Sequence, residues 1–447
     1  MAVQDRSASA KAKGFRAGAP SPAMREPLIM AAAFLDGIVA VSSIPVMKAQ
    51  SAHVSFSSGA QLAAYQLCFL LPQLLSTLVA EQLTAHISAL ALLFFTLVCS
   101  TGSAALVGFS LSHGAMSMFF AARLANGVFR HDKTLFGVTA NTLLMSAGSV
   151  GAASRYGMMA GMLLSGVAGD IIGNAVQVAH LFAGVEAVAA ALVLIRLIMD
   201  SRTVVVTARV SQDYEKWLPN LTRAPAAFFG ALSCLVAVSL AAAVNQVMYA
   251  VVAPGYGLSY SFTGAHLCFN LVLQTVWMPH IIEAARRVVK DWTPNSLLVG
   301  GTEERLAMAA GSALLLGCTL VPYAAEVGPT TFYPVSLLLV DIPAGIVAAT
   351  AAASVQSAFG KPSGDAPKVA RLLGHAAQLV KMMAAPLRIC TGEVFAHKKH
   401  SVHLVSISLM AYALLYMRTG KVLHAAVGMV AVMVLFTSSA ISLEGDL

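Results

Sequence analysis

Long apolar runs alternate along this chain with short polar or Gly/Pro breaks, and the spacing between breaks repeats. A hydrocarbon core of ~30 Å asks for roughly 20 apolar residues per helical crossing. Windows of that length fall at about 27–47, 57–80, 86–110, 115–142, 150–172 and 179–199. The longest polar insert, "DSRTVVVTARVSQDYEKWLPNLTRAP", occupies 200–225, and further windows follow at about 227–252, 258–283, 305–326, 331–356, 368–393 and 402–417. The pattern predicts an all-α, polytopic membrane bundle of twelve helices in two sets of six. One more apolar run, 424–443, follows Arg418 and Lys421 closely. It is a thirteenth helix, an interfacial segment, or the twelfth helix if the Lys381- and Arg388-bearing stretch 368–393 stays outside the membrane.

The resulting organisation is a tail at 1–26, a six-helix half at 27–199, a linker at 200–226, a second half at 227–417 and a hydrophobic C-terminal segment at 418–447. The tail carries five Lys or Arg and two acids but no apolar block of the kind a signal peptide needs, so it reads as a disordered cytoplasmic extension. Lys and Arg placement then orients the chain. One side collects the five basic residues of the tail, then Arg202, Arg209, Lys216 and Arg223, then Arg286, Arg287, Lys290 and Arg305, then Lys361, Lys368 and Arg371. The other side receives only Lys48, Lys398 and Lys399, so both ends of a twelve-helix chain are expected in the cytoplasm.

Composition agrees with a bilayer as solvent. Of 447 residues, 58% are hydrophobic and 11% charged, and mean hydropathy is +0.76. A soluble surface needs far more charge, and the net charge of +8 belongs to cytoplasmic loops rather than to a nucleic-acid interface. The six cysteines lie in apolar runs without CxxC spacing, so they read as small buried hydrophobes, and no metal or cofactor is expected. No HExxH, GxSxG or P-loop is present, which argues against an enzyme.

A charge at the bilayer centre costs at least ~2.5 kcal/mol, so ionisable residues inside the windows face a cavity or a partner. Asp36 sits about nine residues into the first window. The segment "FFAARLANGVFRHDKTLFGVTANTLL" (119–144) carries Arg123, Arg130, His131, Asp132 and Lys133, yet splitting it there would leave two runs too short to span. It is expected to be one helix with its charges inside, paired with neighbouring helices or facing a cavity, and Asp36 is the nearest acid to neutralise them. His131 would titrate near neutral pH. Further polar groups inside windows are Gln66, Asn245, Gln246, Asp341, His375, Gln378 and Lys381. His266, Asn270 and Gln274 recur every four residues and line one helix face, which suits a water-lined cavity or interhelical hydrogen bonding. Asp341 precedes Pro343 and Gly345, which would loosen its helix. Asp170 and Glu186 read as interfacial.

Several stretches carry a family resemblance. "FLDGIVAVSSIPVM" (34–47), with Asp36, Gly37 and Pro45, is similar to the first helix of the tetracycline-type drug:proton antiporters of the major facilitator superfamily. "RLANGVFRH" (123–131) resembles their fourth helix, with Arg123 and then Gly127, and its "FRH" portion resembles a set of orphan eukaryotic solute carriers related to that branch. "AASRYGMMAGMLLSG" (152–166) resembles the fifth-helix antiporter motif through Gly157, Gly161 and Gly166, a GxxxG spacing that also serves close helix packing. The chain departs from that pattern in three places. Residues 74–86 lack the basic gating cluster, Met162 replaces a proline, and the third and ninth helices carry no acid, so tetracycline is not the expected substrate.

The resemblance implies a monomeric secondary transporter in a lipid bilayer. It would move a small organic solute by alternating access, with proton-coupled export as the mode. It places proton coupling at Asp36 and Arg123, and the polar groups inside the windows add His131, Asp132 and Asp341 as coupling candidates and Gln66, Arg130, Asn245, Gln246, His266, Asn270, Gln274 and Gln378 as candidates for the substrate cavity. The alternatives are an uncoupled metabolite facilitator and a receptor or scaffold on the same fold.

Overall fold

The computed structural model describes residues 22–201, apart from 56–58, 85, 131 and 144, together with 257–291 and 337–360 and short pieces within 224–239, 302–317 and 369–376. Every regular element among these residues is helical. In chain order they are α1 (Pro22–Val41), α2 (Met47–His53), α3 (Gly59–Leu83), α4 (Ala89–Ser112), α5 (Met116–Phe129), α6 (Asp132–Thr142), α7 (Ala147–Ile172) and α8 (Ala175–Ser201). After the linker come α9 (Tyr260–Val272), a π-helical turn (Leu273–Trp277) and α10 (Met278–Asp291) in one continuous rod. A second π-helical turn (Leu337–Asp341) leads into α11 (Ile342–Phe359). The spans Ala89–Ser112, Ala175–Met199 and Leu338–Phe359 are long and apolar enough to cross a membrane, and the chain is an integral, multi-pass membrane protein. The windows around 402–417 and 424–443 lie outside the described residues, as does the tail before residue 22.

The polar groups of α4 are small hydroxyls, and all but Ser100 bond back to carbonyls of their own helix. Thr96 donates to the Leu93 carbonyl at 2.9 Å, Ser103 to Ser100 at 2.8 Å and Ser110 to Val107 at 2.7 Å. Such back-bonding lets a polar side chain sit in an apolar environment without an external partner. Helix α4 packs against α8 and α5.

Helix α7 joins the two halves, since it packs on α1 and α8 of its own half and on α9 of the other. Small residues permit the approach. A Cβ added at Gly157 or Gly161 would collide with the backbone carbonyls of Phe34 and Ile38 in α1, and one at Gly166 with the carbonyl of Tyr260 in α9. Gly127 serves the same purpose between α5 and the Phe69 carbonyl of α3. Close backbone contact of this kind is how membrane helices gain packing energy where lipid removes the hydrophobic drive.

Two expectations need correction. The first window does not run helically to residue 47. It stops at Val41, and residues 42–46 form turns before α2, because Pro45 has no N–H and disfavours helical geometry at Ile44. The fourth window is not one helix either. It breaks at Arg130, whose φ of −98° and ψ of 71° lie outside the helical region, and a second helix starts at Asp132. The break has a local cause. The freed Arg130 carbonyl accepts a 2.7 Å hydrogen bond from Gln73 Nε2 of α3, and the Arg130 side chain is committed to α1.

Candidate functional site

Arg130 is the hub of a buried ionic cluster. Its Nη2 donates to Asp36 Oδ1 and to the Asp36 backbone carbonyl, both at 2.9 Å, and its Nη1 lies 3.5 Å from Glu186 Oε1 in α8. The three residues are 2%, 4% and 0% exposed for Asp36, Arg130 and Glu186. One guanidinium therefore serves two carboxylates in a region that excludes water. Such an arrangement repays its desolvation only through close geometry and shared hydrogen bonds, and Arg130 meets that condition by bonding to both side chain and backbone of Asp36. Because it is released from helical geometry, Arg130 ties α1, α3 and α8 to the junction of α5 and α6.

The expected pairing of Asp36 with the charges of the fourth window is thus present through Arg130. Glu186, by contrast, is not interfacial. The helix that carries it starts at Ala175 rather than near 179, so Glu186 lies eleven residues in, about 16 Å along the axis at 1.5 Å per residue. The late boundary made a mid-helix acid look terminal.

Arg123 lies two turns before Arg130 on the same face of α5. Its guanidinium carbon sits 4.6 Å above the Phe69 ring, a cation–π geometry. Arg123, Asn126 and Arg130 line a small cavity of about 50 Å³ within the first half, walled by Val39, Val107 and Phe182. A buried water needs roughly 10–15 Å³ of such space. This cavity has room for a few waters beside Arg130. Asn126 is fixed there by donating to Ser103 Oγ at 3.0 Å.

The second half carries its own polar centre. Asn270 Nδ2 donates to Asp341 Oδ2 at 2.6 Å and Gln274 Nε2 to the Asp341 backbone carbonyl at 2.9 Å. Asp341 is buried, and His266 is half-buried one turn before Asn270 on α9. Gln274 and Asp341 each sit in a π-helical turn. Pro343, at the second position of α11, removes a backbone donor from the rod, and a widened turn before it is the local response. Single π turns inside α-helices recur at functional sites.

Gln66 lies on α3 and Asp132 opens α6. His131, Asn245, Gln246, His375, Gln378 and Lys381 fall outside the described residues. Among the described residues no cluster of His, Cys, Asp or Glu has metal-binding geometry.

No family model matches the sequence, and no curated protein does. Solved structures do match its shape. The D-xylose–proton symporter aligns at a TM-score of 0.61 with 13% identity, over 89% of this chain and 98% of its own. The nucleoside transporter NupG aligns at 0.58 with 12% identity, over 93% and 98%. A bacterial homologue of the human lysosomal transporter Spinster, captured inward-facing and unoccupied, aligns at 0.58 with 14% identity, over 94% and 96%. The fold is of the major facilitator type. Within that fold the Arg130 cluster belongs to the first half and the Asp341 cluster to the second, with α7 and α9 in direct contact between them.

Proposed function

We propose that the protein is a secondary transporter that moves a small organic solute by alternating access of two six-helix halves, 27–199 and 227–417, with the termini in the cytoplasm. Proton binding at the Asp36–Arg130–Glu186 cluster drives the cycle, and export is the direction that the resemblance to drug:proton antiporters implies. One observation carries this reading: two buried carboxylates share a single guanidinium at a helix break. With both acids ionised the cluster holds a surplus negative charge, and a proton arriving on either acid removes it. Protonation also weakens the hold on Arg130, the residue that joins α1, α3 and α8 to the α5–α6 junction. Proton occupancy and helix arrangement are coupled through that one side chain. Arg123, beside the small cavity, lies on the route by which a proton reaches Asp36 and Glu186. Asp341, whose partners Asn270 and Gln274 are neutral amides, is assigned to holding its helix junction rather than to coupling, and the face bearing His266, Asn270 and Gln274 contributes the solute path from the other half.

The test is flux in liposomes, with a solute first found by a thermal-shift panel. Wild-type protein should move it against its gradient when a pH gradient is imposed. Asp36→Asn and Glu186→Gln should each lose gradient-driven flux by at least about tenfold while keeping solute exchange across equal pH. Wild-type flux indifferent to the pH gradient would replace this reading with an uncoupled facilitator. If no solute moves and only variants in 200–225 have a cellular effect, the receptor or scaffold reading takes its place.

A further inference from the structure

Helices α6 and α7 line a second, half-open cavity of about 330 Å³ that the ionic cluster does not use. Its size lies at the lower edge of pockets that take small organic ligands, whereas the cavity beside Arg123 is several times smaller. Three of its walls are apolar: Phe136 from α6, and Val150 and Met158 from α7. Two polar groups interrupt them. Ser154 is buried, and its hydroxyl has no hydrogen-bond partner. Arg155 is exposed, and its Nε makes a 3.4 Å contact to the Gly151 carbonyl of its own helix.

Position makes this pair informative. Arg155 lies eight residues into α7, about 12 Å along the helix axis. A charge at that depth is costly unless it meets a cavity or a partner, and Arg155 lines the cavity. A buried hydroxyl without a partner costs free energy of the same kind. A carboxylate accepts from a guanidinium and from a hydroxyl at once, and would satisfy both when the Ser154 side chain turns its hydroxyl toward the cavity. The apolar walls suit an apolar body behind that head group.

We propose that the α6–α7 cavity binds a small amphipathic organic anion. Arg155 pairs with its carboxylate, Ser154 Oγ donates to the same group, and Phe136, Val150 and Met158 pack on the remainder. That this anion is the transported solute rests on the transport reading above; that it binds does not. Gly137 shapes the cavity from α6, since a Cβ added there meets no atom within 4 Å.

The experiment is equilibrium binding to the full-length protein in phosphatidylcholine nanodiscs, with benzoate and 4-phenylbutyrate compared with their amides and the corresponding amines. The carboxylates should bind and the amides and amines should bind at least about tenfold more weakly. Arg155→Gln should cost at least about tenfold in carboxylate affinity, with Arg155→Lys retaining most of it, and Ser154→Ala a few-fold. Gly137→Leu fills the space without touching a polar group and should abolish binding while leaving the unliganded melting temperature intact. Equal binding of amides, or indifference to Arg155→Gln in a folded variant, overturns the proposal. So does a cavity that phosphatidylglycerol nanodiscs protect while both soluble carboxylates fail to bind, because the site would then be a lipid site. Carboxylate binding without flux under any gradient overturns the transport reading and leaves the site standing. Flux of another solute that ignores Arg155→Gln does the reverse.

Discussion

The two polar centres differ in what holds their acids. In the first half, Asp36 and Glu186 face one guanidinium, and in the second, Asp341 is held through the amides of Asn270 and Gln274. An amide donates to a carboxyl group whether or not that group carries a proton, whereas attraction to a guanidinium disappears when the acid is neutralised. On the proposed reading, the first centre responds to protons and the second fixes a helix junction in place. Each centre coincides with a departure from regular α-helix, a break at Arg130 in one and paired π turns in the other. Backbone freed in this way is tolerated in a membrane only where protein groups satisfy it, as Gln73 and Gln274 do here.

The hardest test of the contrast is to remove the guanidinium. Arg130→Ala leaves two buried carboxylates without their cation, and the fold should lose roughly 3–5 kcal/mol, read as a collapse of the monodisperse peak and a lower melting temperature. Adding Asp36→Asn and Glu186→Gln to an Arg130→Gln background removes the charges together and should recover most of that stability without restoring gradient-driven flux. A triple variant as unstable as Arg130→Ala would show that packing at the helix break, rather than charge, dominates. In the second half, Asp341→Asn replaces a carboxyl by an amide of the same shape. It should leave pH-gradient coupling within about twofold, where Asp36→Asn loses tenfold or more. Equal losses at both positions would erase the distinction drawn between the centres.

The packing of α7 gives the next effect in size. Gly157→Val drives a side chain into the Phe34 carbonyl of α1 and should cost about 1–3 kcal/mol. Gly184→Ala, on a stretch of α8 where an added Cβ meets nothing within 4 Å, should stay within about 0.5 kcal/mol of wild type. Thermal unfolding of the two variants in one detergent distinguishes close helix contact from a general intolerance of α-helical glycine replacement.

How much of this could be read beforehand depends on what averaging over a window preserves. The spans of α4, α7 and α8 lie within a few residues of the apolar windows at 86–110, 150–172 and 179–199, because length and hydropathy survive averaging. The break at Arg130 does not, since the charged run Arg130 to Lys133 is short, the apolar stretches flanking it together make one window of spanning length, and the backbone contact that stabilises the break comes from α3. Asp36 was legible as the acid for that charge cluster because few acids lie inside windows at all. Glu186 was not, since its role depends on a helix start four residues earlier than the polar break suggested. The stripe of His266, Asn270 and Gln274 is visible from its spacing, but its partner Asp341 sits 67 to 75 residues away along the chain and is found only by folding. Arg155 and Ser154 are hidden inside a glycine motif whose spacing already has a packing explanation.

The smallest predicted effect lies where the two halves meet. Helix α7 has 26 residues, so at 1.5 Å per residue it is about 39 Å long, more than a ~30 Å hydrocarbon core requires, and Asp170 lies in its last turn. From that turn the exposed Asp170 accepts from the first two amides of α9, Tyr260 N at 2.9 Å and Ser261 N at 2.8 Å. It thereby caps a helix of the opposite half. Burial acts to raise the Asp170 carboxyl, but the bonds from Ser261, Tyr260 and Ser259 outweigh it and hold the group below its ordinary value. A depressed folded value means that the stabilisation is complete above the unfolded value of about 3.9 and is lost as pH falls through the folded one. Asp170→Ala should therefore weaken the first turn of α9 by about 0.5–1 kcal/mol, at the lower end for a cap because the site is exposed. Hydrogen exchange at Tyr260 to Thr263 should speed up a few-fold in the variant at pH 7. In wild type the same loss should appear only on acidification below pH 4, with the variant unresponsive. A variant that kept its own acid response would place the titrating group elsewhere. A variant with unchanged exchange at pH 7 would mean that the glycine contacts of α7, and not this carboxylate, hold the halves together on that side.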